Sequence, residues 1–308
     1  MINKIVAVQG NNPSKLNPLT DTSVFLAHEI QNKGYRIFYY DPKDLSIING
    51  KVIANGFFIE FNYKDKKFFK ILKRQKLELL KCKFVLIRQD PPFNLEYISA
   101  TYILDTIKDR VKILNNPTSI RNISEKLYSV KFQKYMTNTI FTQNFDEIKS
   151  FFKKYKKIIL KPIHSYSGND IHLLNRFDLK LIKKFIKQHD HIMCQKFLPK
   201  ISRGDKRVFL INGKVCGAIS RVPKKGSFLS NMSKGAKPIN IKLTKIEKKV
   251  SAIIAKDLKK QDIFFAGIDF IDQKLNGDIN VTSPTGLKSF YDLSGINLAK
   301  TFWQELKA

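Results

Sequence analysis

The segment DIFFAGIDFID (residues 262–272), followed closely by NGDINVTSP (residues 276–284), is the most informative part of the chain. Its pattern predicts two short strands joined by a turn. Asp278 and Asn280 are two positions apart, so they share one face of a strand. If Asp269 lies beside them on the partner strand, three oxygen donors converge, which suits Mg²⁺. The alternative is that the two aspartates are ordinary solvated strand residues.

A basic hairpin precedes these strands. In SRGDKRVF (residues 202–209), Asp205 and Arg207 share one face of a predicted strand, and Lys206 points to the other face. Arginine occurs only nine times in the chain, yet three fall within nineteen positions here: Arg203, Arg207 and Arg221. Because the guanidinium fork suits carboxylate and phosphoryl oxygens, the cluster indicates an anion site. A surface hairpin with ordinary ion pairs is the alternative.

A third segment has the form strand, polar loop, strand. IILKP (residues 158–162) is followed by HSYSGND (residues 164–170). Backbone N–H groups of such a loop can cradle phosphates, and Lys161 can supply a positive charge. The loop has a single glycine, so this signal is weak when taken alone.

Strands alternate with helices through roughly the first 120 residues, which predicts a parallel α/β sheet. The Asn49-Gly50 pair predicts a hairpin turn within residues 46–53. The other predicted strands of this part are Lys4–Val8, Arg36–Tyr40, Lys83–Ile87 and Lys112–Leu114. The predicted helices are one that runs through Asn32, with N-cap candidates at Asp21, Thr22 and Ser23, and one over about Leu95–Lys108.

Beyond residue 120, hairpins interleave with helices, which predicts an α+β module and a cleft between the parts. The predicted strands, besides the two at Ile263–Ile271 and Asp278–Val281, are Lys156–Lys161, Ile171–Leu174, Met193–Phe197, Lys206–Ile211 and Lys214–Ser220. The predicted helices are Glu125–Lys134, Leu179–Gln188, Thr244–Lys259 and Leu293–Leu306.

Composition sets the class of protein. The chain has 308 residues, is 43% hydrophobic and carries a net charge of +30, with 56 basic and 26 acidic residues. Lysine is spread from end to end, so the charge predicts no specific nucleic-acid site, only general attraction to polyanions. The apolar runs are too short to cross a bilayer. Three widely spaced cysteines favour neither disulfides nor zinc, which predicts a soluble protein of a reducing cytoplasm.

Several separate motifs resemble those of the ATP-grasp superfamily, and specifically of the bacterial glutathione synthetase family. They span nearly the whole chain in register. The matching stretches are RQDPPF (88–93) with ATYIL (100–104), NPTSIR (116–121) with EKL (125–127), GDKRV (204–208) and INVTSPT (279–285).

The resemblance implies an α/β (α+β) protein with an ATP-grasp fold and an N-terminal parallel α/β domain. Residues 1–120 would form the N-terminal substrate-side domain and residues 121–308 the ATP-grasp domain, divided into a small subdomain of about 121–198 and a C-terminal subdomain of about 199–308. The implied activity is ATP-dependent joining of γ-glutamylcysteine to glycine through an acyl phosphate, with release of ADP and phosphate. Implied partners are small molecules, no specific nucleic acid, no membrane, and further copies of the chain in a homo-oligomer.

Roles carry over from the family position by position. The implied catalytic residues are Arg207 and Arg221, which also bind substrate together with Arg88. The implied nucleotide-binding residues are Lys126 and Lys161 at the phosphates, Gln195, Lys196, Phe197 and Leu198 at the adenine, Asp205 at the ribose, and Lys206 and Asn231. The implied ligands for Mg²⁺, with Mn²⁺ as an alternative, are Asp269, Asp278 and Asn280.

The sequence also departs from the family pattern. The family's DGxGG loop reads His164-Ser165-Tyr166-Ser167-Gly168 here, its metal-bridging glutamate is Asp278, and its flap has lost an arginine within residues 228–231. These departures leave two alternatives open: another ATP-grasp ligase, and a degenerate relative that binds nucleotide without ligation. A third alternative, a polyanion-binding protein, is supported only by the net charge.

Overall fold

The computed structural model describes residues 4–308, in which the chain builds three β-sheets, one after another along the sequence. The first sheet has seven strands. Its elements are β1 (Ile5–Gln9), α1 (Thr22–Gln31), β2 (Arg36–Tyr40), β3 (Leu45–Ile48), β4 (Lys51–Phe61), β5 (Phe69–Glu78), β6 (Phe84–Ile87), α2 (Leu95–Asp105), β7 (Lys112–Leu114) and α3 (Pro117–Asn122). Of these strands, β1, β2 and β6 are almost fully buried and β5 is largely exposed.

The predicted parallel sheet is confirmed for β1, β2, β6 and β7, and the hairpin predicted within residues 46–53 is confirmed by the β3–β4 pair. β5 was not predicted. β1 is parallel to β2 and β6, and β6 is parallel to β7. By contrast, β3, β4 and β5 are antiparallel additions at one side, in the order β3-β4-β2-β1-β6-β7 with β5 also paired to β4. Two-residue turns permit antiparallel pairing, whereas a parallel pair needs a crossover.

The second sheet is small and fully antiparallel, in the order β10-β9-β11-β8. Two amphipathic helices cover one face and bury a compact apolar cluster that includes Ile148, Phe152 and Phe185. The elements are β8 (Thr139–Thr142), α4 (Phe145–Tyr155), β9 (Ile158–Pro162), β10 (His172–Leu174), α5 (Leu179–His189) and β11 (Ile192–Lys196).

The third sheet has five antiparallel strands in the order β14-β13-β12-β15-β16. Its elements are β12 (Asp205–Ile211), β13 (Lys214–Val222), β14 (Lys237–Asn240), α6 (Lys245–Lys260), β15 (Phe265–Ile271), β16 (Lys274–Asn280), α7 (Leu287–Ser294) and α8 (Leu298–Glu305). Helix α6 begins at a capping box, in which Thr244 and Glu247 satisfy each other's backbone N–H groups.

Two helix predictions are wrong in detail. The single helix predicted over Leu293–Leu306 is two helices, because Gly295 adopts a left-handed φ of 72° and ends α7. The helix predicted over Glu125–Lys134 is a kinked stretch of 3-10 helix over Leu127–Tyr135. Glu125 therefore lies in a turn just before this stretch.

The first and third sheets share a core. Trp303 of α8 is fully buried against α1, and its indole Nε1 donates to the Leu26 carbonyl at 2.9 Å. Asn115 links the same two units, since its side chain bonds the backbone of Phe265 and Val281. These contacts hold the ends of β15 and β16 against the first sheet. Among residues 4–308, no helix is both long and apolar enough to cross a membrane.

Candidate functional site

A cavity of about 690 Å³ opens where the three sheets meet. It receives side chains from strands of the second and third sheets and from the loops that follow β1 and β6 of the first, although these segments are far apart in sequence. Thirteen of the fifteen residues implied by the resemblance line it: Lys126, Lys161, Gln195, Lys196, Phe197, Leu198, Asp205, Arg207, Arg221, Asn231, Asp269, Asp278 and Asn280.

Two buried lysines converge on one carboxylate at this cavity. Lys126 Nζ lies 3.5 Å from Asp278 Oδ1, and Lys161 Nζ lies 3.3 Å from Asp278 Oδ2. Burial would raise the pKa of Asp278, but Lys161 and Lys126 outweigh it and lower that pKa. The two ammonium groups thus form a positive pocket whose position is set by an acid on β16.

An alternating chain of arginines and aspartates lies on the adjacent wall. Arg207 forms a two-bond ion pair with Asp269, and Arg221 bridges Asp269 to Asp205. Burial would raise the pKa of Asp269, but Arg207 and Arg221 lower it to about 2. Both guanidinium groups are therefore held rigidly at the cavity wall, ready for a carboxylate or phosphoryl group.

Asp205, the implied ribose ligand, is buried within this chain. Both of its oxygens accept from Arg221, and the Ser230 hydroxyl lies beside it. Burial raises the pKa of Asp205, although Arg221 opposes the rise. A ribose hydroxyl would therefore have to donate to the lone pairs that remain free on the two Asp205 oxygens.

The three residues predicted as metal ligands come together. β15 and β16 pair Gly267 with Asn280, and the register then shifts before Phe270, so that Asp269 lies beside the Asp278 end of β16. The Asn280 side-chain oxygen is buried and has no hydrogen-bond partner among the residues described. An orphaned buried oxygen next to two carboxylates is a donor set that fits a divalent cation.

This donor set is incomplete without a ligand. Nowhere in residues 4–308 do three or more His, Cys, Asp or Glu side chains group as a metal site. Two carboxylates and one amide leave most positions of a six-coordinate ion to other oxygens, such as those of phosphates and water.

A polar loop and a flap segment meet over the cavity. We define the polar loop as residues 164–170 and the flap segment as residues 228–233. Gly168 has φ of 72°, and a Cβ there would overlap the Asn231 side-chain oxygen. The one glycine of the polar loop is thus required both by the backbone and by the approach of the flap segment.

The end of β11, in the second sheet, and the residues after it form another side of the cavity. The Gln195 side chain is buried and donates to Thr139 Oγ1, and residues 196–198 continue along the cavity. The Lys196 and Phe197 N–H groups donate to Asn138 and Lys157 carbonyls. The backbone that lines this side is consequently fixed before any ligand binds.

The structure places Lys206 outside the set of cavity residues that the resemblance implied. It does not line the cavity, because it occupies the opposite face of β12 from Arg207, and its Nζ donates to Glu247 Oε2 at 2.8 Å. Its role is to join the third sheet to α6.

Arg88 lies behind the cavity wall. Its Nε donates to Ser23 Oγ at 3.0 Å, and one terminal nitrogen donates to the Pro284 carbonyl at 3.1 Å. The other terminal nitrogen is buried without a partner among the described residues. Its neighbours Asp90 and Ser283 reach the cavity itself.

Other lining residues were missed from the sequence. Glu125 reaches the cavity beside Lys126, and Ser230 lies within the flap segment. The connection between β1 and α1 contributes Asn11, Lys15 and Asp21. Glu125 and Ser230 had a usable signal, because each falls within a segment already compared with the family; the three residues of the β1–α1 connection depend on contacts between distant segments.

Comparison with known proteins gives two matching family models. The N-terminal domain of prokaryotic glutathione synthetase matches residues 5–121. The ATP-grasp domain of the same enzyme matches residues 125–295.

Whole-chain relatives agree with these matches. The glutathione synthetase of Rhodopseudomonas palustris is 32% identical over 98% of each chain. That of Brucella melitensis is 33% identical, again over 98% of each chain. The Shewanella oneidensis glutathione synthetase is 34% identical over 89% of each chain.

Solved structures show the same fold at low identity. A D-cycloserine synthetase superposes with a TM-score of 0.69 at 11% identity, covering 98% of this chain and 99% of that one. D-alanyl-alanine synthetase A of Vibrio cholerae superposes with a TM-score of 0.62 at 14% identity, covering 98% and 97%. Similarity at this level establishes the ATP-grasp architecture alone.

Proposed function

The chain belongs to the prokaryotic glutathione synthetase family, and from that premise we propose that it joins γ-glutamylcysteine to glycine. It is an ATP-dependent carboxylate–amine ligase of the ATP-grasp type. The substrates we propose are ATP and the two small molecules named above.

The proposed reaction has two steps. A carboxylate oxygen of γ-glutamylcysteine attacks the γ-phosphorus of ATP, which gives an acyl phosphate and ADP. The glycine amine then attacks the acyl carbon, loses its proton and expels phosphate. Because phosphorylation converts a poor leaving group into a good one, the protein has mainly to position the groups and neutralise their charge.

The single observation that carries this proposal is the placement of a buried lysine pair beside a buried arginine pair in one cavity. Lys126 and Lys161 would contact the phosphates of ATP. Asp278 lies against both ammonium groups and holds them in position. Arg207 and Arg221 would face the reacting carboxylate, where negative charge moves during transfer. Arg88 would act on the peptide substrate indirectly, through the neighbouring residues that line the cavity.

The nucleotide base would lie along residues 195–198, where the backbone edge is already fixed. Asp205 would approach the ribose, and Asn231 would cover the nucleotide from the flap segment. The proposed cleft thus lies between the units 1–120, 121–198 and 199–308.

The family uses ATP and a divalent metal in general, and we propose Mg²⁺, with Mn²⁺ as the alternative. The residues that would hold it are Asp269, Asp278 and Asn280, the last through its orphaned oxygen. When bound, such an ion neutralises phosphate charge and aligns the transferring group. We further propose a cytoplasmic location and a homo-oligomeric assembly, on the family likeness alone.

Phosphate release from ATP, scanned across donor and acceptor pairs, tests the proposal. We expect release to require both γ-glutamylcysteine and glycine. Release with a different donor or amine would instead support another ATP-grasp ligase, for which the altered flap segment is the motivation. Nucleotide binding without release under any pair would indicate a degenerate relative.

A further inference from the structure

Glu125 brackets the predicted metal ligand Asn280. The Glu125 carbonyl accepts from the Ile279 N–H at 2.9 Å, on the residue before Asn280. Its carboxylate oxygen Oε1 accepts from the Val281 N–H at 3.3 Å, on the residue after. One residue therefore holds the backbone on both sides of the Asn280 side chain.

The same carboxylate continues past the strand end. Oε1 also accepts from the Thr282 hydroxyl at 2.9 Å and from the Thr282 N–H at 3.4 Å. These partners are more than 150 residues away in the chain, so the contact is a long-range one. Strand β16 ends at Asn280, and the residues directly after it pair with no strand in the described part of the chain.

The next residue, Lys126, extends this arrangement to the nucleotide side. Its Nζ donates to the Ser165 carbonyl of the polar loop at 2.8 Å and lies 3.5 Å from Asp278 Oδ1. A single dipeptide, Glu125-Lys126, thus contacts the polar loop, the acid of β16 and the backbone around Asn280.

We propose that Glu125 is a positioning residue, which aims the Asn280 oxygen into the cavity and keeps it in register with the Lys126 ammonium. The inference rests on the proposed function for the identity of the metal–nucleotide site. Glu125 acts through hydrogen bonds that its Oε1 accepts, so its negative charge is secondary. Outer-shell groups of this kind orient a ligand that could otherwise turn away from the ion.

Three full-length variants test this. Glu125→Ala removes the acceptor, Glu125→Gln keeps an acceptor oxygen of the same length without the charge, and Thr282→Val removes only the hydroxyl donor. Mg²⁺ binding is measured by calorimetry in the presence of a non-hydrolysable ATP analogue, with circular dichroism and the melting temperature as measures of folding.

We expect Glu125→Ala to weaken Mg²⁺ binding about 10-fold or more, as removal of outer-shell partners does elsewhere. Glu125→Gln should bind Mg²⁺ nearly as well as the wild type. The Mg²⁺ affinity of Thr282→Val should lie between those of the other two variants. Binding of the ATP analogue in the absence of metal should change much less than binding of Mg²⁺.

Two results would overturn the inference. One is wild-type Mg²⁺ affinity in folded Glu125→Ala and Thr282→Val proteins; if Glu125→Ala does not fold, Thr282→Val decides alone. The other is a folded Glu125→Gln protein as impaired as Glu125→Ala, which would assign the effect to charge. A wild type that binds Mg²⁺ with the analogue but forms no peptide bond would contradict the proposed function and leave this inference standing.

Discussion

Arg207 on β12 and Asp269 on β15 are direct neighbours in the sheet. They form a two-bond ion pair, in which Arg207 Nε donates to Asp269 Oδ1 at 2.5 Å and Nη2 donates to Oδ2 at 2.9 Å. Both side chains are almost fully buried. The pair places a fixed positive charge next to an implied metal ligand, so the anion site and the metal site share one wall of the cavity.

The first prediction concerns Arg207→Ala. It should reduce kcat about 100-fold or more, because loss of one pre-organised charge stabiliser costs about 3 kcal/mol. The KM for ATP should change much less. Steady-state kinetics checks this, with Arg203→Ala as the control, since Arg203 is exposed and outside the cavity. Unchanged turnover in a folded Arg207→Ala protein would refute the assignment.

The second prediction concerns the meeting of the polar loop and the flap segment. Gly168→Ala should raise the KM for ATP and lower kcat, because the new methyl group displaces Asn231. Gly50→Ala is the matched control: Gly50 has φ of 75° but open space around its Cβ position. Both variants should lose about 1 kcal/mol of stability from backbone strain. Equal activity in the two variants would mean that the contact has no role.

The third prediction concerns the metal ligands as a unit. Asn280→Ala should raise the Mg²⁺ concentration needed for activity while leaving the melting temperature nearly unchanged, since the lost oxygen has no hydrogen-bond partner within residues 4–308. Asp278→Glu, which restores the family's usual acid, should preserve or increase activity. A Mg²⁺ titration of phosphate release measures both. Loss of metal binding in Asp278→Glu would contradict this site.

The fourth prediction concerns the cysteines. Burial raises the pKa of the Cys82 and Cys194 thiols to about 12, and it also raises the pKa of Cys216. Since a raised pKa leaves the thiol protonated at pH 8, alkylation by iodoacetamide should be slow and should reach the partly exposed Cys216 first. A triple Cys→Ala protein that folds should keep ligase activity. Complete loss of activity in that folded protein would reveal a thiol mechanism.

Local signals predicted most of the elements. The cap candidates at residues 21–23 and the strand patterns predicted α1, β2, β12 and β13 to within one or two residues. Three strands, β5, β8 and β14, were missed. The sequence of β5 is rich in lysine and most of its residues are exposed, so it shows no apolar alternation. Only its pairing with β4 makes it a strand.

The candidate site also has a part that could be predicted from local sequence and a part that could not. Residues within motifs, such as Lys161 and Asp278, could be assigned to one site in advance, because the resemblance implies roles for them and strand alternation fixes their face. The role of Glu125 could not, because it depends on hydrogen bonds to residues 279–282, which the fold alone brings near. Lys206 shows the converse: strand alternation correctly placed it opposite Arg207, against the role that the resemblance implied.

Isotope transfer tests the central claim most directly. γ-Glutamylcysteine labelled with ¹⁸O in its reacting carboxylate is incubated with ATP, Mg²⁺ and glycine, and the released phosphate is analysed by mass spectrometry. If the carboxylate is phosphorylated before the amine attacks, one labelled oxygen appears in phosphate for each peptide bond formed. Unlabelled phosphate, released alongside ADP whether or not glycine is present, would show that the cavity hydrolyses ATP without activating the peptide.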